Sequence, residues 1–66
     1  MWTLADNVRA ERNRRGLTQS ELAERAGVSL GAVRSIEQGH DVRTTTLERI
    51  AAALEIPPGD LLPRQS

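Results

Sequence analysis

Gln19–Gln38, QSELAERAGVSLGAVRSIEQ, places small and apolar residues where two helices crossing at a tight turn need them. Leu22 and Ala26, then Val33 and Ile36, recur three or four apart within each half. Ala23 is small where the helices meet. Gly27 stands where the turn needs a positive φ, which glycine adopts without steric cost. Thr18-x-x-Glu21 is a capping box that opens the first of the two helices, over 19–26. Ser29 caps the second, over 30–38, and Gly39 ends it.

The same punctuation extends outward. Thr3 caps a helix over 4–15 that stops at Gly16. Thr45-x-x-Glu48 is another capping box, with Thr44 as the alternative cap, and opens a helix over 46–55. Pro57 and Pro58 break that helix, and Pro58 is placed to begin a short fifth one over 58–62. The tail from Pro63 to Ser66 is expected to fray. The reading is all-α, a five-helix compact bundle in a single domain over 1–66, with no strand, repeat or linker.

Sixty-six residues lie near the lower limit for a single hydrophobic core. The chain has no cysteine and one histidine, so neither a disulfide nor a metal site is expected, and no cofactor. No apolar run approaches the ~20 residues of a membrane span, and the N-terminus is not a signal peptide. The expectation is a soluble, cytoplasmic protein without a membrane partner. Nine basic and nine acidic side chains cancel, and every basic one is arginine. Arg9, Arg12, Arg14 and Arg15 stand against Asp6 and Glu11 in the first sixteen residues, a local positive excess. Net neutrality lowers non-specific affinity for nucleic acid without excluding it.

Projected at 100° per residue, the third helix divides into two faces. Ser29, Ala32, Val33 and Ile36 fall on one; Leu30, Gly31, Arg34, Ser35 and Gln38 fall on the other. The second face is unusual for a solvated surface, because an interior glycine costs ~1 kcal/mol relative to alanine. A small residue lets the backbone approach another surface, and leucine can contact a thymine methyl.

On these residues the chain resembles the helix-turn-helix domains of the phage lambda repressor and Cro family, the xenobiotic-response-element type. The resemblance runs from about Leu4 to Leu62, through RGLTQSELAERAGVS, the Ile36-Glu37-Gln38-Gly39 exit and TLERIAAALEIPPGDLL. It implies sequence-specific binding of double-stranded DNA by a homodimer, usually to repress or autoregulate transcription, with the second helix of the motif in the major groove. By position, it assigns base reading to Leu30, Gly31, Arg34 and Ser35, and a backbone contact to Gln19. The basic residues that commonly follow the third helix fall on His40 and Asp41. Asp41 repels phosphate, so that loop contributes through His40 and Arg43. Glu11 stands where many members carry leucine, which predicts a thinner core there.

Leu4, Val8 and Arg12 share the most apolar face of the first helix, and a buried arginine needs a partner. The resemblance pairs Arg12 with Glu37, in an ion pair whose guanidinium edge also faces phosphate. Gln19 is read as a phosphate contact beside exposed N–H groups, against a plain polar residue in a first turn. Ser29 is first a cap and secondly a phosphate ligand, and Gln38 joins that set. Leu47, Ile50, Ala51 and Leu54 form the buried face of the fourth helix. Ile56, Pro57, Leu61 and Leu62 are left as a self-association patch, with Leu61 or Leu62 closing the monomer core as the alternative. Trp2 is expected to cover one end of the core, or else to join a dimer contact.

Three function classes follow. The leading one is a DNA-binding regulator. A protein-interaction module that keeps the fold without DNA binding is the alternative, supported by net neutrality. An enzyme finds no support, since no residues pair at catalytic spacing and no cleft is expected in so small a bundle. No small-molecule effector is evident.

Overall fold

Thr3, Thr18 and Ser29 begin their helices as side-chain caps. Thr3 Oγ1 accepts from the Asp6 N–H, and Thr18 Oγ1 from the Glu21 N–H. Each carboxylate returns the bond to the cap's own N–H, at 3.0 and 2.8 Å. Ser29 Oγ accepts from the Ala32 N–H at 3.1 Å. The computed structural model describes residues 2–63 as four α-helices, α1 (Leu4–Arg14), α2 (Gln19–Ala26), α3 (Leu30–Glu37) and α4 (Thr44–Ala53), and one 3-10 turn, Pro58–Asp60. Of the tail expected to fray, Pro63 to Ser66, residues 64–66 lie outside the described residues.

All four helices end alike. The N–H of Leu17, Val28, His40 and Ile56 bonds back to the carbonyl of Arg12, Ala23, Ser35 and Ala51, respectively. That six-residue closure needs a left-handed residue just before the donor. Gly16, Gly27 and Gly39 supply it for α1–α3, with φ of 66°, 69° and 91°. Glu55, at 59°, supplies it for α4.

The core is Val8, Leu17, Leu22, Ala23, Ala26, Val33, Ile36, Leu47, Ile50, Ala51, Leu54 and Leu61. α3 packs on both α1 and α2, α2 packs on α4, and α4 packs on the 3-10 turn. Ala23, 4% exposed, lets α2 and α3 approach at the turn.

Four expectations are corrected. The fifth helix is only the 3-10 turn, because Leu61 turns inward and is fully buried, with Asn7 Nδ2 holding its carbonyl at 2.8 Å. α4 begins two residues earlier than read, and neither Thr44 nor Thr45 caps it; Arg43 holds that position without a side-chain bond. The physical reason lies in Val42 and Leu47. With Arg43 as cap they take the two positions of a hydrophobic staple, and both pack into the apolar cluster. A Thr45 cap would put Thr44 and Arg49 there instead. Trp2 does not cover the core and is 66% exposed. Its staple partner on α1 would be Asn7, which is polar and engaged with Leu61. The fourth correction is an open groove between the start of α1, the loop after α3, the start of α4 and Leu62.

Glu55 is the only non-glycine residue with positive φ among the described residues. A left-handed L-residue costs roughly 1–2 kcal/mol, partly offset when glycine loosens the unfolded chain. Glu55→Gly is therefore expected to stabilise the domain by about 0.5–1 kcal/mol, a rise of a few degrees in melting temperature. Thermal denaturation followed by circular dichroism checks this; a lower melting temperature would refute it.

Candidate nucleic-acid interface

Arg12 and Glu37 lie in contact, although 25 residues separate them. Arg12 Nε donates to Glu37 Oε2 at 2.7 Å and Nη2 to Oε1 at 2.9 Å, a two-pronged match between planar groups. Arg12 Nη1 reaches the Leu17 carbonyl at 2.8 Å. The Glu37 side chain is 3% exposed and that of Arg12 13%. Gln19 Nε2 donates to Glu37 Oε1 at 3.2 Å. Arg9 donates from Nη2 to the Glu37 main-chain carbonyl, and its Nε lies 3.7 Å from Oε1.

One buried carboxylate thus collects donors from α1 and from the first residue of α2. Burial is the largest influence on the Glu37 carboxyl and pushes its pKa up. The hydrogen bonds from Arg12 and Gln19, with the charges of Arg12 and Arg9, outweigh burial and hold it below its ordinary value. The bond to Glu37 raises the Arg12 pKa. Three other carboxyls are also depressed: Asp6 by the Thr3 N–H, Glu11 by Arg15 and Glu21 by the Thr18 N–H.

The remaining sequence-derived residues lie around this hub and on α3. Gly31, Arg34 and Gln38 are exposed, and Ser35 is half-buried. Leu30 is also half-buried and packs partly on the core, so it faces outward less fully than the projection implied. Arg34 forms no ion pair among the described residues. Ser29 spends its oxygen on the cap, and the Gln19 amide nitrogen is tied to Glu37. His40 and Arg43 are exposed beyond the end of α3. Glu11 is half-buried and pairs with Arg14 and Arg15 rather than thinning the core unanswered.

The proposed self-association patch divides. Leu61 belongs to the monomer core and is removed from it, since a fully buried side chain has no face left for a partner. Ile56 is half-buried against the core; Pro57 and Leu62 are exposed, Leu62 at 47%. Sequence reading missed two residues. Arg9 was legible in principle, because Asp6, Arg9 and Arg12 step by three along one side of α1. Asn7 carried no such signal, because its partner Leu61 is 54 residues away.

A helix-turn-helix family model matches residues 8–61. The chain belongs to the helix-turn-helix family. The restriction-modification controller protein C.AhdI from Aeromonas hydrophila superposes with a TM-score of 0.85 at 30% identity, over 89% of this chain and 91% of that one. A hypothetical transcription factor, NHTF, from Neisseria gives 0.83 at 33% identity, over 89% and 69%. Comparison with curated proteins finds no match. As a helix-turn-helix protein of the Cro and lambda repressor type, the chain is a DNA-binding transcriptional regulator and not an enzyme. Among the described residues no helix is long and apolar enough to cross a membrane.

Removing one partner of the Arg12–Glu37 pair strands the other charge. Arg12→Ala is expected to cost on the order of 3–5 kcal/mol, and an apolar double replacement at 12 and 37 to recover much of it. The pH dependence has a definite sign. Carboxyls depressed in the folded state contribute stability above their unfolded pKa and lose it as pH falls through their folded values. Melting temperature should hold from neutral pH to about 5 and then fall below about pH 4.3, the ordinary glutamate value. Glu37→Gln should flatten that acid limb. Denaturation across pH measures both; an Arg12→Ala variant that melts like the wild type would refute the account.

Proposed function

We propose that the chain represses or autoregulates transcription as a homodimer on a palindromic operator, with α3 in the major groove. The observation that carries this reading is the outer face of α3. Gly31 is exposed, and a Cβ built there would meet only Ser29 Oγ at 3.9 Å. Nothing inside the protein requires glycine at that helical position, although glycine costs stability there. Close approach by an external surface supplies the reason. Beside it, Arg34, exposed and in no ion pair among the described residues, suits bidentate bonding to guanine O6 and N7. Leu30 and Ser35 flank these two as the other base-reading positions.

Phosphate contacts fall to Gln19, Ser29, Arg12, Gln38, His40 and Arg43. For Gln19 and Ser29, which already hold internal bonds, the free backbone N–H groups at the starts of α2 and α3 are the natural donors. The exposed edge of the Arg12 guanidinium adds a charge. Likeness to a controller protein and to a transcription factor supports the regulatory reading.

Selection from random duplex DNA by the wild-type chain is the first test, with a palindrome as the expected product. On that operator, Arg34→Ala should lose ~1–3 kcal/mol of discrimination at one guanine while binding mismatched DNA nearly as before. Competition titrations on matched and mutated operators measure it. Equal loss of affinity on every sequence would make Arg34 a phosphate contact and refute base readout.

One recognition helix reads too few base pairs to find a single genomic site, which favours a two-fold assembly. Pro57 and Leu62, with the edge of Ile56, form its proposed contact. Across a two-fold axis there, the recognition helices would stand about 34 Å apart, one turn of DNA. Sedimentation without DNA should give a concentration-dependent dimer for the wild type and a monomer for Leu62→Glu. A wild type that stays monomeric at high micromolar concentration, or a dimer indifferent to the substitution, would refute this contact.

A further inference from the structure

We propose that Arg9 is a positioning residue for DNA reading, fixing the C-terminal end of α3 against α1 through the Glu37 carbonyl. The inference rests on the base-reading role of α3 proposed above. The last carbonyls of a helix have no partner within it. Among the described residues no backbone N–H reaches the Glu37 carbonyl; the donors in that turn go to Arg34, Ser35 and Ile36 instead. Arg9 Nη2 fills the vacancy from another helix. A cation there also lies at the negative end of the α3 dipole.

The guanidinium is held on both sides. Its Nη1 lies 3.5 Å from Asp6 Oδ1, and its Nε lies 3.7 Å from Glu37 Oε1. Asp6 is itself fixed, because its other oxygen accepts from the Thr3 N–H and hydroxyl. A continuous polar chain therefore runs from the start of α1 to the end of the helix that reads DNA. Arg12 holds the Glu37 side chain and Arg9 its main chain. Two anchors on one residue fix a helix's rotation as well as its distance, and rotation decides which bases Arg34 and Gly31 face. One hydrogen bond to a carbonyl and two ion-pair approaches in different directions suit the planar fork of arginine; a lysine ammonium supplies the charge without the geometry.

Arg9→Lys therefore separates positioning from a plain phosphate contact. In the DNA-free protein it is expected to speed amide exchange at Gln38 to His40, with circular dichroism showing the fold retained. Against the operator selected by the wild type, it should lose discrimination over a mutated operator by on the order of tenfold. The slope of log affinity against log salt should stay at the wild-type value, since the charge is kept. Unchanged amide exchange, or wild-type discrimination by Arg9→Lys, would overturn the proposal and leave the base-reading account standing. If Arg9→Ala lowers affinity equally on all sequences and reduces the salt slope by about 0.9, Arg9 is a phosphate contact and the proposal falls. A wild-type chain that selects no sequence would remove both readings.

Discussion

A carboxylate buried under an apolar core is an expensive thing for so small a domain to hold. Glu37 loses almost all its water, and its desolvation is compensated only because Arg12 meets it with two parallel bonds and Gln19 and Arg9 complete the shell. Buried ion pairs are often no more stabilising than apolar residues of the same volume. What this one contributes is direction. α3 is only eight residues long and enters the core fully through Val33 and Ile36 alone. Apolar contact is non-directional, so two such residues leave a short helix considerable freedom to roll. The bidentate pair removes that freedom, and the same guanidinium secures the loop before α2 through the Leu17 carbonyl. The relative placement of α1, α2 and α3 converges on one side chain.

The short helices explain why caps and closures matter here as much as the core. Isolated helices of eight residues are marginal in water, because nucleation is costly. α2 and α3 each carry a side-chain cap at one end and a left-handed glycine beyond the other. Those devices hold the backbone of α3 in place while Gly31, Arg34 and Gln38 on its outer face stay exposed. The helix can then carry Gly31, a residue unfavourable to its own stability, because the penalty is met by its ends and its inner face. α4 is under less constraint and shows it: it has no side-chain cap, and it closes on Glu55 instead of glycine.

Legibility in the sequence followed the range of the interaction. The caps at Thr3, Thr18 and Ser29 and the closures at the glycines involve residues three to five apart, and residue spacing alone places them. The three consecutive threonines 44–46 defeat that logic, because each offers a cap. The start of α4 was decided by Val42 reaching the core from outside the helix, a tertiary effect. Sequence reading puts Leu61 in the self-association patch, with closure of the monomer core by it or Leu62 as the alternative, and Trp2 on the core; burial decides for that alternative and against Trp2. Leu61 lies in one apolar cluster with residues of α4, and its carbonyl is held by Asn7, 54 residues away. Trp2 looked like core because it is large and aromatic, yet the neighbouring turn of α1 offers it only Asn7. The Arg12–Glu37 contact came from joining a helical face argument with a family resemblance; neither the face nor the charge alone named Glu37.

Net neutrality acquires a physical meaning once the arginines are sorted by what they touch. Arg9 and Arg12 are committed to Glu37, with Arg9 also beside Asp6, and Arg14 and Arg15 to Glu11. Much of the positive excess at the start of the chain is thereby balanced by carboxylates of the same domain, Arg12 in the interior and Arg14 and Arg15 at the surface. Arg25, Arg34, Arg43 and Arg49 stand outside any ion pair among the described residues, Arg34 on the outer face of α3 and Arg43 beyond its end. Non-specific DNA affinity grows with the number of phosphates a protein neutralises, and it competes with the operator over the whole genome. Each cation held by a carboxylate gives up some of that sequence-independent attraction. Discrimination depends on the gap between specific and non-specific binding, so on the proposed reading a modest charge complement leaves a larger share of the binding free energy to base contacts on α3. On the proposed reading, the arginines paired with carboxylates serve the fold first, and sequence-independent attraction to DNA falls to the cations outside any pair and to the exposed edge of Arg12.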